Sequence, residues 1–499
     1  MYLELILIFK KVNMKKNLFN SILLGSLLFL LPACSKFTEI TPKGSNILSR
    51  VSDLDLILNF NYSLNSNIAQ NTLAATTTAS TAFNAGDAGT LVNDIYPPLT
   101  NVTNLIATHT ITLPYALTVY DETIDRANLA STDAKYEKMY FIINNVCNVV
   151  LAKADAATGD RAKANQLKAE AYILRAYFHY LLVNFYAKAY NPATAATDGG
   201  IPYVKENNIN EVNIPNKKST VGEVYANIVA DINAGFALNS LPTTPINNMR
   251  VGLGFAYGVQ AQVLLAMRNY NGALAAANAS LAINSTIIDN KLYAPLGSVP
   301  FGKPNVTSPD NLFYAAEKGT PLLNGPSLEL MSYYEPGDVI NDYVKPYYPS
   351  VAGAFSITGV TGAKLFYLTT PYAVNTAGLT TSDTYLIKAE CLARTQNIQG
   401  AMDVINAFRK KRIVNSTDLT ASTEAQAMAH LMKVSRVEFL YTMKNYFNIK
   451  RWNTEDAYKQ TITRTVNGVT YRLKPESPLW IFPFPHSGTD YNPNLTQNY

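Results

Sequence analysis

The sequence is poor in the residues that build covalent cross-links, metal sites and nucleophilic centres. It has three cysteines and four histidines among 499 residues. The histidines are scattered, without the close spacing of zinc ligands: His109, His179, His430 and His486. The sequence also lacks a glycine-rich phosphate loop and a Gly-x-Ser-x-Gly elbow. We therefore identify no metal site, no cofactor site and no catalytic constellation from the residues.

Clusters of basic residues are also missing from most of the chain. Charged residues make up 15% of the sequence, and the formal net charge is +5. Four lysines lie before residue 34, in a segment that we expect to be removed, and no Lys/Arg run longer than four residues follows. Nucleic acid is therefore not predicted as a partner. An apolar content of 48% is typical of a folded globular protein.

An apolar run near the N terminus is too short to cross a membrane. It covers residues 18–31, after Lys15 and Lys16, whereas a membrane-spanning helix needs about 20 apolar residues. A basic start, an apolar run and a small residue before the cut are typical of a secretory signal peptide. The run ends in Leu31-Pro32-Ala33-Cys34, which is similar to the lipobox of bacterial lipoproteins. In a lipobox the cysteine thiol is acylated, with palmitate among the expected chains, and becomes the first residue of the mature protein.

The sequence therefore predicts a signal peptide over residues 1–33 and a lipid anchor on Cys34. Residues 1–13 fit a signal peptide poorly because they carry Glu4 and a second apolar patch, so Met14 is the predicted start. Two acyl chains hold a protein durably on a membrane, because each buried CH₂ contributes about 0.8 kcal/mol. An ordinary cleaved signal with a chance cysteine is the alternative.

Tryptophan is scarce and tyrosine is abundant, with 2 and 32 residues respectively. Tyrosine offers rigid contact area with a polar tip, which suits binding surfaces as well as cores. We expect Trp452 and Trp480 to lie in the core rather than to form a ligand platform. Cys147 and Cys391 lie in apolar helical patterns, where a free cysteine behaves as a small hydrophobe, and we expect both to be buried and unpaired.

Helical periodicity fills two blocks of the chain, about 133–283 and 380–452. Apolar residues recur every three or four positions in the longest helix, which requires a partner surface along its whole length. The predicted helices are 135–153, 162–188, 220–238, 252–268, 271–283, 382–395, 424–443 and 445–452. Residues 269–274 and 397–402 repeat a tight turn that leads into an alanine-rich helix face, similar to half of a tetratricopeptide repeat. The predicted fold is mainly α: degenerate tetratricopeptide-type hairpins, long irregular loop insertions and little β structure.

Two loop-rich segments, about 61–130 and 284–378, flank or interrupt the scaffold, and a tail follows at 453–499. Long insertions in compact domains are usually functional, and loops carry binding residues on a rigid scaffold. Residues 310–372 contain eight tyrosines. The candidate ligand contacts are five tyrosines: Tyr96, Tyr115, Tyr314, Tyr333 and Tyr334. The alternative for each is that it packs the loops.

Acidic residues are dense in two places outside the helix caps. These are Asp121-Glu122-x-x-Asp125 and Glu335-x-x-Asp338-x-x-x-Asp342. Glycoside hydrolysis needs two carboxylates about 5–10 Å apart on either side of one bond. Ordinary solvated acids explain both groups, so the residues do not predict an enzyme. Glu390 and Arg394, four residues apart on one helix, are predicted to pair.

Five stretches taken together resemble the SusD/RagB family of surface lipoproteins. They are the lipobox at Cys34, 169–177 with 198–202, 385–394, 436–439 with 446–452, and 482–485 with 492–498. Each is weak alone, but their order and spacing are specific. The chain departs from the family pattern at Met443, Asn445 and Asn448, and few acids follow Cys34.

The resemblance implies a single SusD-like domain over residues 34–499, anchored in the outer membrane and facing the extracellular side. It implies nutrient capture rather than catalysis, with an oligosaccharide as the favoured ligand. The implied partner is a SusC-like TonB-dependent transporter that receives the nutrient. A peptide-binding RagB-like importer subunit is the main alternative, followed by a helical-repeat adaptor or a glycan-active enzyme.

Overall fold

The structure, a computed structural model, describes eight stretches of the chain. They are residues 48–62, 85–97, 100–205, 216–293, 306–316, 325–344, 351–366 and 374–499. The predicted signal peptide, Met14 and Cys34 lie outside the described residues. From Ser49 to Tyr499 the chain forms one compact unit.

Four short helices precede the scaffold. They are α1 (Val51–Leu58), α2 (Gly86–Leu91), α3 (Val102–Thr108) and α4 (Leu113–Val119). Three of them lie within 61–130, where the sequence predicts loop, and there the structure differs from the prediction. These helices are too short for an apolar period to be visible. Their local signals are caps: Asn101 and Thr112 accept backbone N–H bonds at the starts of α3 and α4.

The first scaffold block begins with an interrupted helix and a long buried one. Its elements are α5 (Ala134–Ile142), a π-helical turn (Ile143–Cys147), α6 (Asn148–Lys153) and α7 (Arg161–Tyr186). The sequence predicts one uninterrupted helix over 135–153, whereas the wider π turn divides it. The Asp160 carboxylate caps α7, and the predicted apolar stripe of α7 is buried along its whole length.

The block continues with a small antiparallel pair of strands and three helices. These are β1 (Gly199–Pro202), β2 (Lys218–Thr220), α8 (Val221–Ala237), α9 (Leu253–Ala266) and α10 (Tyr270–Ile283). The predicted capping box starts α8: Glu223 N–H donates to Thr220 Oγ1 at 3.2 Å and Thr220 N–H donates to Glu223 Oε2 at 2.8 Å. All three helices agree with the predicted ranges to within two residues.

The described parts of the insertion between the blocks hold short elements. They are a 3-10 turn (Asn290–Leu292), β3 (Asn311–Phe313), α11 (Leu328–Met331), a π-helical turn (Val339–Tyr343), α12 (Val351–Thr358) and β4 (Leu379–Thr380). β3 and β4 pair antiparallel and close the base of the insertion. The insertion is therefore attached to the scaffold at both of its ends.

The second scaffold block repeats the hairpin geometry of the first. It contains α13 (Thr381–Arg394), α14 (Ile398–Arg409), α15 (Glu424–Glu438) and α16 (Lys444–Trp452). The predicted repeat is present: Asn269 and Asn397 cap α10 and α14 in the same way, each accepting an N–H bond from a glycine three residues later. The alanine face of α10 packs against Ile387 and Cys391 of α13, so the two blocks share one core.

The C-terminal segment adds a hairpin and a short helix, β5 (Ile462–Val466), β6 (Val469–Leu473) and α17 (His486–Thr489). Asn467-Gly468 makes the turn with φ values of 51° and 78°. Trp452 and Trp480 are buried, and Cys147 and Cys391 are buried and free, as predicted. No helix in the described ranges combines the length and the apolar content that a membrane span requires.

Candidate functional site

Three of the five candidate tyrosines lie in the interior. The exposed fractions of Tyr96, Tyr115 and Tyr314 are 3%, 8% and 2%. The Tyr96 hydroxyl accepts a bond from the Leu328 backbone N–H at 3.2 Å and so holds the start of α11. The three side chains therefore pack the protein in the described structure, and their part in ligand contact stays a prediction.

The other two candidates, Tyr333 and Tyr334, border a cleft. The cleft has a volume of about 300 Å³ and lies between the segment 332–338 and the helices α14 and α15. A second cavity of about 120 Å³ adjoins it. Five residues border both cavities: Tyr334, Asp338, Arg412, Val437 and Glu438. These five residues therefore form a wall that the two cavities share.

Backbone hydrogen bonds hold the cleft segment against the turn that follows α14. Val339 N–H donates to the Arg412 carbonyl at 2.9 Å, and Val414 N–H donates to the Gly337 carbonyl at 2.8 Å. Gly337 has a φ of +87°, and a Cβ there would lie 2.5 Å from the Val414 carbonyl oxygen. Glycine is therefore required at this position for the close approach of the two segments.

Two ion pairs fix the walls of the cleft. Arg409 Nε donates to Glu335 Oε1 at 2.8 Å. Arg412 donates to both oxygens of Glu438, at 2.8 and 2.9 Å, and Ser382 Oγ donates to Glu438 at 2.8 Å. Bidentate pairs of this kind set side-chain geometry as well as charge. The guanidinium groups are thus engaged with the protein itself.

The two tyrosines of the cleft are held differently. The Tyr333 hydroxyl donates to Glu329 at 3.2 Å, and the Arg436 guanidinium lies 5.4 Å from the Tyr333 ring centre. The Tyr334 ring packs edge-on against Phe366, with 5.8 Å between ring centres. Tyr333 is therefore fixed by a hydrogen bond of its hydroxyl, whereas Tyr334 is fixed by the packing of its ring.

Asp338 is the least solvated acid of the cleft, with an exposed fraction of 6%. Its Oδ1 accepts backbone N–H bonds from Ile340 at 2.9 Å and Asn341 at 3.3 Å. Burial raises the pKa of Asp338 to about 7, and these N–H bonds and the Arg412 charge offset only part of that shift. The interpretation of Asp338 as an ordinary solvated acid is therefore wrong, because its carboxyl is needed inside as the cap of a turn.

Three of the remaining dense acids, Asp342, Asp121 and Asp125, also accept local backbone N–H bonds. Asp342 Oδ2 accepts from Gly337 N–H at 2.6 Å. Asp121 accepts from Thr123 N–H at 2.8 Å, and Asp125 accepts from Ala127 N–H at 3.1 Å. Among the described residues, no three His, Cys, Asp or Glu side chains come together in a group that could hold a metal ion.

Sequence reasoning missed Arg409, Arg412 and Glu438 as walls of the site. The Glu335–Arg409 contact joins residues 74 positions apart. A single sequence carries only local signals, such as caps and periodicity, so nothing in it brings the insertion against α14 and α15. The clustering of tyrosines was the one signal that pointed to this segment.

Two family models match the sequence. Residues 65–265 match a model described as starch-binding and associating with the outer membrane, and residues 374–499 match the SusD family model. The chain belongs to the SusD/RagB family. The resemblance stated from the five stretches is thereby confirmed.

Solved SusD-like structures share the fold of this family member. A SusD superfamily protein from Bacteroides thetaiotaomicron superposes with a TM-score of 0.66 at 17% identity, over 90% of this chain and 100% of its own. A SusD-like carbohydrate-binding protein from Bacteroides vulgatus gives 0.64 at 16% identity, over 90% and 98% of the two chains. One from Bacteroides fragilis gives 0.64 at 17% identity, over 90% and 99%. At this identity the likeness establishes the fold, and the predicted mainly α, SusD-like fold is confirmed.

No curated protein matches the sequence.

Proposed function

We propose that this SusD/RagB protein is a surface lipoprotein that captures a nutrient and delivers it to a SusC-like TonB-dependent outer-membrane transporter. Cys34 carries the lipid anchor, and residues 34–499 form one SusD-like domain facing the extracellular side. An oligosaccharide is the favoured ligand. The family membership, the lipobox and the cleft beside Tyr333 and Tyr334 support this proposal.

The cleft is the observation that carries the binding function. Its volume of about 300 Å³ lies at the lower end of the range of small-molecule pockets, about 300–1,000 Å³. Tyr333 and Tyr334 offer aromatic surface on which the C–H faces of a sugar ring can stack, and the neighbouring polar groups can take up hydroxyls. Because ion pairs and backbone bonds fix the walls, little ordering entropy is lost when a ligand binds.

The acidic residues of the cleft favour ligand binding without catalysis. In the cleft segment, Asp338 caps a turn, Glu335 pairs with Arg409, and Asp342 accepts a backbone N–H bond. A glycosidase would need one of its carboxylates free to act as an acid and a second one to act as a base or nucleophile. Because Glu335 and Asp342 are engaged in the fold, Asp338 has no free partner carboxylate in the cleft segment, and this favours capture over hydrolysis.

A peptide is the second candidate ligand. The exposed Lys433 side chain borders the same cleft, and so does the imidazole of His430. These groups can receive a carboxylate, whereas the tyrosines can pack against apolar side chains. A RagB-like importer subunit would use the cleft in this way.

A binding panel separates these possibilities. The mature lipoprotein, purified in detergent, is titrated with neutral and acidic oligosaccharides and with short peptides, and the mixtures are checked for hydrolysis products. We expect one oligosaccharide class to bind without being cleaved. Released monosaccharide would identify an enzyme, and binding of peptides alone would identify the RagB-like alternative.

Delivery to a transporter is tested by co-purification from native membranes. We expect a TonB-dependent transporter to co-purify with the lipidated protein in stoichiometric amounts. A protein that purifies alone under mild detergent conditions would contradict the role of importer subunit while leaving ligand binding intact.

A further inference from the structure

A buried carboxylate with one unengaged oxygen lies in the wall that the two cavities of the site share. Asp338 borders both cavities. Its Oδ1 accepts two backbone N–H bonds. Its Oδ2 has no hydrogen-bond partner among the described residues, although the side chain is only 6% exposed. One acceptor of this buried group is therefore available to a molecule in the cleft.

The hydroxyl of Tyr334 is the second unengaged group in this shared wall. Tyr334 also borders both cavities, and its hydroxyl has no hydrogen-bond partner in the parts of the chain that the structure describes. Burial raises the pKa of Tyr334, and the largest charge acting on it is that of Asp338, which raises the pKa further. Tyr334 and Asp338 thus line the same two cavities and act on each other electrostatically.

The charged groups around this shared wall are already satisfied. Arg412 bonds both Glu438 oxygens, and Lys444 Nζ donates to Asp383 at 2.6 Å. Neither Asp338 Oδ2 nor the Tyr334 hydroxyl is fully enclosed by the protein, so both atoms keep access to the cavities. A molecule in the cleft can therefore reach these two atoms, whereas the neighbouring charges are already paired.

We propose that Asp338 Oδ2 and the Tyr334 hydroxyl form a subsite that binds a hydroxyl group of a sugar ring. This inference rests on the proposed function and names the specificity-determining residues of that cleft. A sugar hydroxyl can donate to the carboxylate and accept from the phenol at the same time. An ammonium group only donates, so it would leave the phenol proton without an acceptor.

The subsite has a pH dependence that a purely structural role would not produce. The charged and titratable groups acting on Asp338 are Arg412 after α14, Glu438 on α15 and Tyr334 on its own segment. Hydroxyl donation favours the ionised carboxylate. Because burial raises the pKa of Asp338 to about 7, the affinity for the sugar rises between about pH 6 and about pH 8.

Two conservative variants test the subsite. Asp338→Asn keeps an oxygen that can cap the turn but replaces the free acceptor with an amide donor. Tyr334→Phe removes only the hydroxyl and keeps the ring. The controls are Asp456→Asn, a surface acid that borders neither cavity, and Tyr491→Phe, a tyrosine that is 85% exposed elsewhere.

The mature lipoprotein and these variants are titrated with glucose, galactose, mannose, xylose and their β- and α-linked disaccharides. We expect at least one sugar to bind the wild type. Asp338→Asn and Tyr334→Phe should each weaken that binding about tenfold or more, and the controls should not change it. The rise of affinity with pH should disappear in Asp338→Asn.

Unchanged sugar affinity in both variants would overturn the subsite while leaving the proposed function intact. A crystal structure of the sugar complex with only a water on Asp338 Oδ2 would overturn it as well. A wild type that binds none of the sugars would overturn the subsite and the oligosaccharide function together.

Discussion

Glu390 on α13 and Arg451 on α16 form a buried ion pair with two nitrogen–oxygen distances of 2.7 Å. The sequence predicts a different main partner, Arg394, one turn further along α13. That contact exists at 3.4 Å, but Arg394 makes its shorter bonds to Glu455, both at 2.9 Å. Helix spacing gives the local neighbour of Glu390, whereas its strongest partner comes from a helix 61 residues away.

Removing the Glu390 charge should strongly destabilise the protein. Burial alone would raise the pKa of Glu390, but Arg451 and Arg394 outweigh it and hold that pKa below its usual value. Glu390→Gln leaves Arg451 buried without its counter-charge, which costs about 3–5 kcal/mol. We expect this loss in the free energy of unfolding, measured by urea denaturation.

Asp456→Asn is the matched control for that loss of charge. Asp456 pairs with Lys459 on the surface at 2.5 Å. Surface pairs of this kind contribute little, so we expect no measurable change in stability. Equal effects of the two substitutions would show that the Glu390–Arg451 pair does not stabilise the scaffold.

His179 should make the protein less stable as the pH falls. Val204 N–H donates to His179 Nε2 at 3.0 Å, so the neutral ring carries its proton on Nδ1, which lies 2.8 Å from the Arg175 carbonyl oxygen. Burial lowers the pKa of His179 to about 3. The unfolded chain takes up a proton below about pH 6.5 and the folded chain does not, so stability falls by about 2 kcal/mol between about pH 6.5 and about pH 5.

Asp338 should act in the opposite direction over the same range. Its folded pKa of about 7 lies above the ordinary value of 3.8, so the folded chain binds the extra proton between these limits. Stability contributed by this group is therefore gained as the pH falls from about 7 to about 4, by about 1.4 kcal/mol per pH unit at most. Asp338→Asn should remove that gain.

In the wild type, the pH-dependent contributions of His179 and Asp338 to the free energy of unfolding nearly cancel. Urea unfolding of the single variants at about pH 5 and about pH 6.5 separates the two contributions. We expect little change for the wild type from these two groups. His179→Gln should have a larger free energy of unfolding at about pH 5 than at about pH 6.5. Asp338→Asn should have the larger value at about pH 6.5. Parallel behaviour of the two variants would contradict the burial of one of these groups.

The lipid anchor predicts where the protein is found in the cell. Cys34→Ser removes the thiol to which the acyl chains attach, so the chain should leave the membrane fraction and lose the mass of the lipid at its N terminus. Fractionation and mass spectrometry measure both effects. A Cys34→Ser protein that remains in the membrane fraction would contradict the anchor.

The scaffold could be predicted closely because its signals are local. The stripe of α7 and the Thr220–Glu223 capping box gave helix ranges within two residues of those observed. The π turn at Ile143–Cys147 has no such signal, and it divides a continuous apolar pattern. The β5–β6 hairpin was also missed, although Asn467-Gly468 between alternating residues is a hairpin signal.

The site could be predicted only in part. Tyrosine density pointed to Tyr333 and Tyr334, but it gave equal weight to Tyr96, Tyr115 and Tyr314, which are buried. Burial depends on which segment folds over which, and composition does not contain that information. The walls of the cleft come from α14 and α15, far along the chain, and only the folded structure brings them to the insertion.

The most direct test of the account is isothermal titration of the mature lipoprotein and its Tyr334→Ala variant with the best oligosaccharide of the panel. We expect the wild type to bind the intact sugar and Tyr334→Ala to lose about tenfold or more in affinity, with the fold unchanged by circular dichroism. Equal affinities for the two proteins, or no binding by the wild type, would contradict a ligand site in this cleft.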